Sequence, residues 1–482
     1  MPPDKRVRPP VRRPPRPRGS FKGAPRPAAD PARSVALEVL RGVEERDAYA
    51  NLLLATVLER TGLGARDAAF ATELTAGTLR MRGLYDAVLA TLVGRPLAAL
   101  DPAVLDVLRL GSHQILSMRV PSHAAVSTSV DLVRSTVGPR PAGLVNAVLR
   151  KVAARDVDGW VEQVLAAGAD PVERLAVRHS HPRWMVQGLH EALRSGTVGA
   201  GREPATDGEL EELLAADNAV GAVTLVARPG LAEPAELLVG GARPGVLSPW
   251  AVRLDGGNPG DVPAVRERRA GVQDEGSQLV AWLCASAPLC GRDERWLDLC
   301  AGPGGKAALL GAVAAQRGAE LVANEVLPHR AELVRQAVAG LANVRVTVSD
   351  GRRPTWEHGS FDRALVDAPC TGLGALRRRP EARWRKQPGD VPGLVRLQGE
   401  LLTSALTSVR PGGLVVYATC SPLLAETQEV VDRVLAERPD VVVDAFTELP
   451  ANALAGGRFL QLWPHRHDTD AMFAAVLRRL AA

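Results

Sequence analysis

Apolar residues recur at helical spacing from about residue 31 to 155. Ala32, Val35, Ala36, Val39 and Leu40 form one stripe, and Val104, Val107, Leu108 and Ile115 form another. Asp101-Pro102 has the form of an N-cap followed by proline at the first helical position, and Pro121-Ser122 punctuates the next helix pair. "GLVNAVLRKV" (143–152) closes the block as another amphipathic helix. A small all-α domain over 31–155 is predicted. Helical spacing continues through 156–205, with "HPRWMVQGLHEAL" (181–193) as its clearest piece, and the glycine-rich stretch 194–208 predicts a loop. From about 217 to 268 short β-branched runs such as "AVTLVARP" are split by Pro and Gly. A helical linker and small α+β subdomain over 156–268 follows.

From 269 to 482 the pattern changes again. "RWLDLC", "ELVANEV", "NVRVTVSD", "FDRALVDAP" and "GGLVVYATC" are short apolar runs bounded by polar or turn residues, as buried parallel strands are. Helical patterns lie between them, so the spacing predicts a doubly wound, Rossmann-like α/β sheet whose ligands sit at the carboxyl ends of its strands. The fold class is therefore multidomain: all-α, then small α+β, then α/β.

Charge adds one feature to this picture. Residues 1–28 carry nine basic side chains against the single acid Asp4, a net +8, which leaves −3 for the other 454 residues. Nine prolines fall in the same stretch, which favours an extended, solvated tail over 1–30. Such a tail is either a nonspecific arm for RNA phosphates or dispensable. No apolar run approaches the ~20 residues that cross a bilayer, and none resembles a signal peptide, so membrane and secreted readings are disfavoured. Five cysteines without CxxC spacing argue against disulfides and a zinc ribbon, and fit a reducing cytoplasm. His465 and His467 lack a Cys or acidic cluster at ligand spacing, so no metal is expected.

The first predicted strand ends in "DLCAGPGGK" (298–306). Its Gly302, Gly304 and Gly305 let the backbone pass close to a ligand, and the following helix N-terminus offers free amides. Glu325, twenty residues past Gly305, ends the second strand, where an acid can grip ribose hydroxyls. Asp350 and Asp367 end the third and fourth strands. Glycine followed by acid is shared by NAD and methyl-donor enzymes, although GxGxxG spacing is absent. "DAPCTG" (367–372) and "YATCS" (417–421) put Cys370 and Cys420 at the ends of two strands. One such thiol is commonly just a small core residue, but two at one ligand edge suggest a nucleophile. The residues alone lead to a nucleotide- or adenosyl-binding enzyme, with no substrate specified.

Together "VQDEGSQL" (272–279), "DLCAGPGGK", "DAPCTG", "YATCS" and "PHRHDTDAMFAAVLRR" resemble the RNA cytosine-C5 methyltransferases of the Sun/Fmu class. The helical block, with "LDPAVLDVLRLGSHQIL" and "VPSHAAVSTSVDLV", resembles the RNA-binding antiterminator NusB. The resemblance implies that Cys300, Ala301, Gly302, Pro303, Gly304, Gly305, Lys306, Glu325, Asp350 and Asp367 hold S-adenosyl-L-methionine. Glu325 would take the ribose and Asp350 the adenine side. It implies Cys420 as the nucleophile adding to C6 of a cytosine, Cys370 as the aid to its release, and Asp367 as the group bonding the ring near N3. Its implied partner is 16S rRNA or a small-subunit precursor, with the chain acting as a monomer. A tRNA or other-RNA enzyme, or a NusB-like binding factor without catalysis, are the alternatives, and the paired thiols disfavour the last.

Two departures stand out. Glu325 replaces the aspartate usual in the class, and its Gly-Phe near the C-terminus reads Ala471-Met472-Phe473 here. The basic run "LRRRPEARWRK" (376–386) follows the Cys370 turn, so Arg377, Arg378, Arg379 and Arg383 are expected to face RNA, against the plainer reading of a solvated helix face.

Overall fold

The computed structural model describes residues 29–165, 168–197, 206–445, 454–455 and 458–481. The basic tail (1–28) and most of the loop expected at 194–208 lie outside these residues.

Seven α-helices make the first unit: Pro31–Arg46, Ala50–Thr61, Ala65–Arg80, Arg82–Leu92, Pro102–Leu116, Ser122–Thr136 and Ala142–Val152. The first and fifth are capped as their sequences suggest. Asp30 accepts the Arg33 N–H at 2.9 Å, and Asp101 accepts the Ala103 N–H at 2.8 Å ahead of Pro102. Leu74, Leu84, Val107, Leu108 and Leu149 pack in one fully buried core. Each such side chain contributes about 1.5–3 kcal/mol by leaving water.

Four more helices follow, Val157–Val164, Pro171–Arg178, Arg183–Thr197 and Asp207–Asn218. The third runs further than expected, because Leu189, Ala192 and Leu193 carry its apolar face onto Trp463 and Ala471 of the C-terminal unit. Strands β1 (Thr224–Ala227), β2 (Arg243–Pro244), β3 (Ala251–Arg253) and β4 (Ala270–Val272) form an antiparallel sheet of order β2-β3-β1-β4. The expected boundary at 268 is therefore too early. β4 pairs with β1, Leu225 opposite Val272, and belongs to the small sheet.

The C-terminal unit opens with the helix Glu275–Ser286. Its strands are β5 (Arg295–Asp298), β6 (Glu320–Asn324), β7 (Val344–Thr347), β8 (Phe361–Asp367), β9 (Val409–Thr419), β10 (Val441–Val443), β11 (Leu454–Ala455), β12 (Phe459–Gln461) and β13 (Phe473–Arg479). They build a nine-stranded sheet ordered β11-β12-β13-β9-β8-β5-β6-β7, with β10 also on β13. β5 to β9 are parallel, matching the five runs read in the sequence. β13 is antiparallel to β9, and β10 and β12 are antiparallel to β13. The helices Glu275–Ser286 and Gly305–Gln316 bury one face of the sheet, and Val391–Ser408 with Gln428–Glu437 bury the other. Strand order reverses between β5 and β8, which is where ligands bind in open α/β sheets.

Candidate active site

At that reversal β5 ends in Asp298 and the chain turns through 299–304 into the helix Gly305–Gln316. Two glycines leave room that no other residue would. A Cβ on Gly302 would come 2.1 Å from Glu325 Oε2. One on Gly304, at φ +110°, would come 2.6 Å from Ala337 Cβ and 3.0 Å from Val334 Cα. Glu325 itself is buried just past β6, accepts the Leu327 N–H at 3.0 Å and lies 3.7 Å from Arg330 Nε. Arg330 reaches on to Gly302 O at 2.6 Å, so the cradle and Glu325 share one guanidinium.

Two buried polar groups at this cradle lack partners. Neither oxygen of Asp298 has a hydrogen bond, and neither does the Gln273 amide, which lies 3.9 Å from a Cβ placed on Gly305. Burial pushes the Asp298 carboxyl up to about 7, with Asp367 adding to the effect. Burial also raises the Cys300 thiol. Asp350 behaves differently. It is half-exposed and chelated by the Arg352 guanidinium, Nη2 at 2.7 Å from Oδ2, which holds its carboxyl below the usual range.

Lys306, placed by sequence with the donor loop, sends Nζ across to Asp367 Oδ2 at 2.8 Å and to Ser277 Oγ at 3.2 Å. Burial opposes its charge, but the Asp367 carboxylate outweighs burial and holds the ammonium above its ordinary range. Asp367 ends β8, and Cys370 follows it through Ala368-Pro369. β9 runs parallel beside β8 and ends one residue before Cys420, so the two thiols meet with their Sγ atoms 3.5 Å apart. The hydrogen bond from Cys370 and the nearby Lys306 pull Cys420 below the usual thiol value, against burial. Cys370, as the donor and buried, is pushed well up. The arrangement is an ammonium–carboxylate pair beside one thiolate-prone and one protonated sulfur.

The basic run does not form the expected outward strip. Arg383 is fully buried and donates to Arg80 O (2.8 Å), Asn218 Oδ1 (2.6 Å) and Asp217 O (2.9 Å). Arg377 is also buried and grips Asp468, Nη1 to Oδ1 at 2.8 Å and Nη2 to its carbonyl at 2.7 Å. These two are removed from the RNA-facing set, because both are buried and their terminal nitrogens are held inside the chain. Arg378 is half-buried and pairs with Asp470 and Asp274. Arg379 is exposed, 5.2 Å over the Tyr49 ring. Arg385 bonds Val43 O and Ala48 O, and the Trp384 ring stands 2.3 Å from where a Cβ on Gly83 would be. The run is the seam on which the N-terminal helices dock.

Sequence reasoning passed over Asp298, Gln273, Ser277, Asp470 and Glu426. Gln273 and Ser277 lie in "VQDEGSQL", and Asp470 lies in the C-terminal motif. Ala471, at the departure from the class pattern, still donates its N–H to Gly374 O at 2.8 Å, while Gly374 donates to Cys420 O at 2.8 Å. His465 is turned to Glu209 at 3.2 Å. Among the described residues no group of His, Cys, Asp and Glu could hold a metal ion, and no helix is long and apolar enough to cross a membrane.

A cradle at the strand-order reversal, with paired thiols on the adjoining strand ends, defines a methyltransferase domain joined to a NusB-like helical domain. Residues 289–478 match the model of the 16S rRNA methyltransferase RsmB/F family, and residues 30–154 match the NusB family. A putative methyltransferase of Mycobacterium tuberculosis is 51% identical over 465 residues, covering 95% of this chain and 99% of the relative. The probable ribosomal RNA small subunit methyltransferase B of Bacillus subtilis is 32% identical, covering 93% and 98%. The solved structure of PH0851 superposes with a TM-score of 0.76 at 23% identity, over 94% of this chain and 99% of that one. A methyltransferase homologue from Pyrococcus horikoshii gives 0.52 at 20% identity over 65% and 100%. The chain belongs to the RsmB/F family of RNA methyltransferases.

Proposed function

We propose that the chain transfers a methyl group from S-adenosyl-L-methionine to C5 of a cytosine in 16S rRNA, position 967, through a covalent bond between Cys420 and C6. The observation that carries this reading is the pair of sulfurs 3.5 Å apart beside the Lys306–Asp367 pair. The donor fits the cradle on grounds of shape and polarity. Gly302 and Gly304 leave space that a Cβ would fill, Glu325 beside it is an acid suited to ribose hydroxyls, and Asp298 and Gln273 have unpartnered polar atoms there. When bound, the donor supplies an electrophilic methyl group.

Cytosine C5 is a weak nucleophile, and the protein's task is to change that. Cys420 Sγ adds to C6, so the ring electrons become an enamine with density at C5. As that bond forms N3 takes a proton from solvent, and Asp367, fixed by Lys306, accepts from the N3–H and stabilises the adduct. After C5 gains its methyl group, the C5 and N3 protons leave to solvent water. The C6–Sγ bond then breaks and the aromatic ring is restored. Cys370, in contact with Cys420, assists this elimination. The target base must leave its stack for C6 to be reached. Relatives named for the small ribosomal subunit support 16S rRNA over tRNA. Arg379 remains as an RNA contact, with Arg378 at the pocket edge.

The test is transfer of labelled methyl groups to unmodified 16S rRNA by wild type, Cys420→Ala and Cys370→Ala. Label should appear in 5-methylcytosine with wild type and vanish in Cys420→Ala. Cys370→Ala should accumulate a protein–RNA adduct. Labelling of tRNA but not rRNA would move the substrate and keep the reaction.

A further inference from the structure

The mechanism leaves one wholly buried carboxylate unused. Glu426 lies in the turn after β9, in none of the ion pairs among the described residues, and meets only hydrogen-bond donors. Its Oε1 accepts the Thr371 N–H at 2.8 Å and the Gln398 amide at 3.0 Å, and Oε2 accepts the Thr371 hydroxyl. That hydroxyl also lies 3.1 Å from Ser421 Oγ. Gln398 Nε2 further bonds Pro369 O at 2.9 Å. Thr371 follows Cys370 and Ser421 follows Cys420, so one acid ties both cysteine-bearing turns together.

We propose that Glu426 is a positioning residue that biases which sulfur keeps its proton. Its charge behind the Cys370 turn adds to the Cys420 contact and to burial in holding Cys370 as a neutral thiol, whose S–H is then directed at Cys420. This rests on the reading of Cys420 as nucleophile. The surrounding charges agree with it. Lys306 and Arg378 act on Cys420 together with Asp367 and Asp470, whereas Cys420 itself, Glu426 and Asp367 act on Cys370 with no cation among its principal neighbours. A buried anion without a counterion is costly, and a merely structural link at this point would be served as well by an amide.

The full-length chain, without RNA or donor, is treated with iodoacetamide across about pH 6–10, and each cysteine is followed by peptide mass spectrometry. Wild type should alkylate Cys420 well ahead of Cys370. Glu426→Gln should lower the Cys420:Cys370 rate ratio about tenfold, the effect of one pKa unit, while Glu426→Asp should restore most of it. An unchanged ratio in folded Glu426→Gln overturns the proposal. Should that variant not fold, wild type itself decides: alkylation of Cys370 level with or ahead of Cys420 overturns the proposal. Thiol reactivity needs neither RNA nor donor. Ordered thiols in a protein that still methylates as Cys420→Ala would refute the nucleophile, not the ordering.

Discussion

Arg383→Met removes a guanidinium that solvent does not reach. Arg80 O, Asn218 Oδ1 and Asp217 O each lose a donor that now sits 2.6–2.9 Å away. An acceptor stranded in a buried site costs about 1–3 kcal/mol. Part of that is offset, because burying the cation is itself unfavourable and pulls its pKa down to about 10. A net loss of about 3–5 kcal/mol follows, the range for breaking a buried charged network. For a cooperative unit of about 200 residues this lowers Tm by at least about 6 °C. The assay is thermal melting of the full chain, run beside RNA binding at several salt concentrations. Arg379→Ala is the contrast: melting within about 0.5 kcal/mol of wild type, and a shallower salt dependence. If Arg383→Met instead melts like wild type and loses salt dependence, the seam assignment is refuted and Arg383 belongs on the RNA.

Three further outcomes are expected. Gly302→Ala should weaken donor binding about tenfold in titration calorimetry, because its Cβ would strike Glu325 Oε2 at 2.1 Å, and unchanged affinity would remove Glu325 from the cradle. For Asp298, the folded carboxyl holds its proton up to about 7 while the unfolded one releases it near 3.8, so stability falls as pH rises through that window. Asp298→Asn should therefore gain on the order of 2–4 kcal/mol over wild type at about pH 8 and match it below about pH 4, and parallel pH–melting curves would contradict this. Gly83→Val, in the N-terminal helices, should lower methyl transfer at saturating donor by displacing the Trp384 ring and with it the segment after Cys370. Full activity in that variant would mean the two units work independently.

Much of the fold was legible because its strongest signals are periodic. Four buried strands, the half-buried edge strand β7 and the capped N-terminal helices follow from local pattern, and the glycine–acid–thiol series falls at strand ends. The failures have a common physical cause. A run such as Arg377 to Lys386 looks solvated in one dimension, and only the tertiary arrangement reveals carbonyls of Arg80 and Asp217 waiting for Arg383. β4 was assigned to the wrong unit because three residues carry no mark of which sheet they join. Glu426 and Asp298 were overlooked because a lone acid has no sequence signature. Their significance lies in complete burial outside any ion pair among the described residues, which only the folded chain reveals.

The placement of β13 sets an order of events during synthesis. Six residue pairs, from Phe473 opposite Thr419 to Arg478 opposite Leu414, close the far edge of β9. The segment 420–472 must be made before those partners exist. Until then Val415, Val416, Tyr417 and Ala418, all buried in the finished sheet, present an open apolar edge to any neighbouring nascent chain. The strand leading to Cys420 thus stays unguarded while 420–472 are made, and a chain lacking 473–479 should be lost to aggregation before its chemistry is ever at issue.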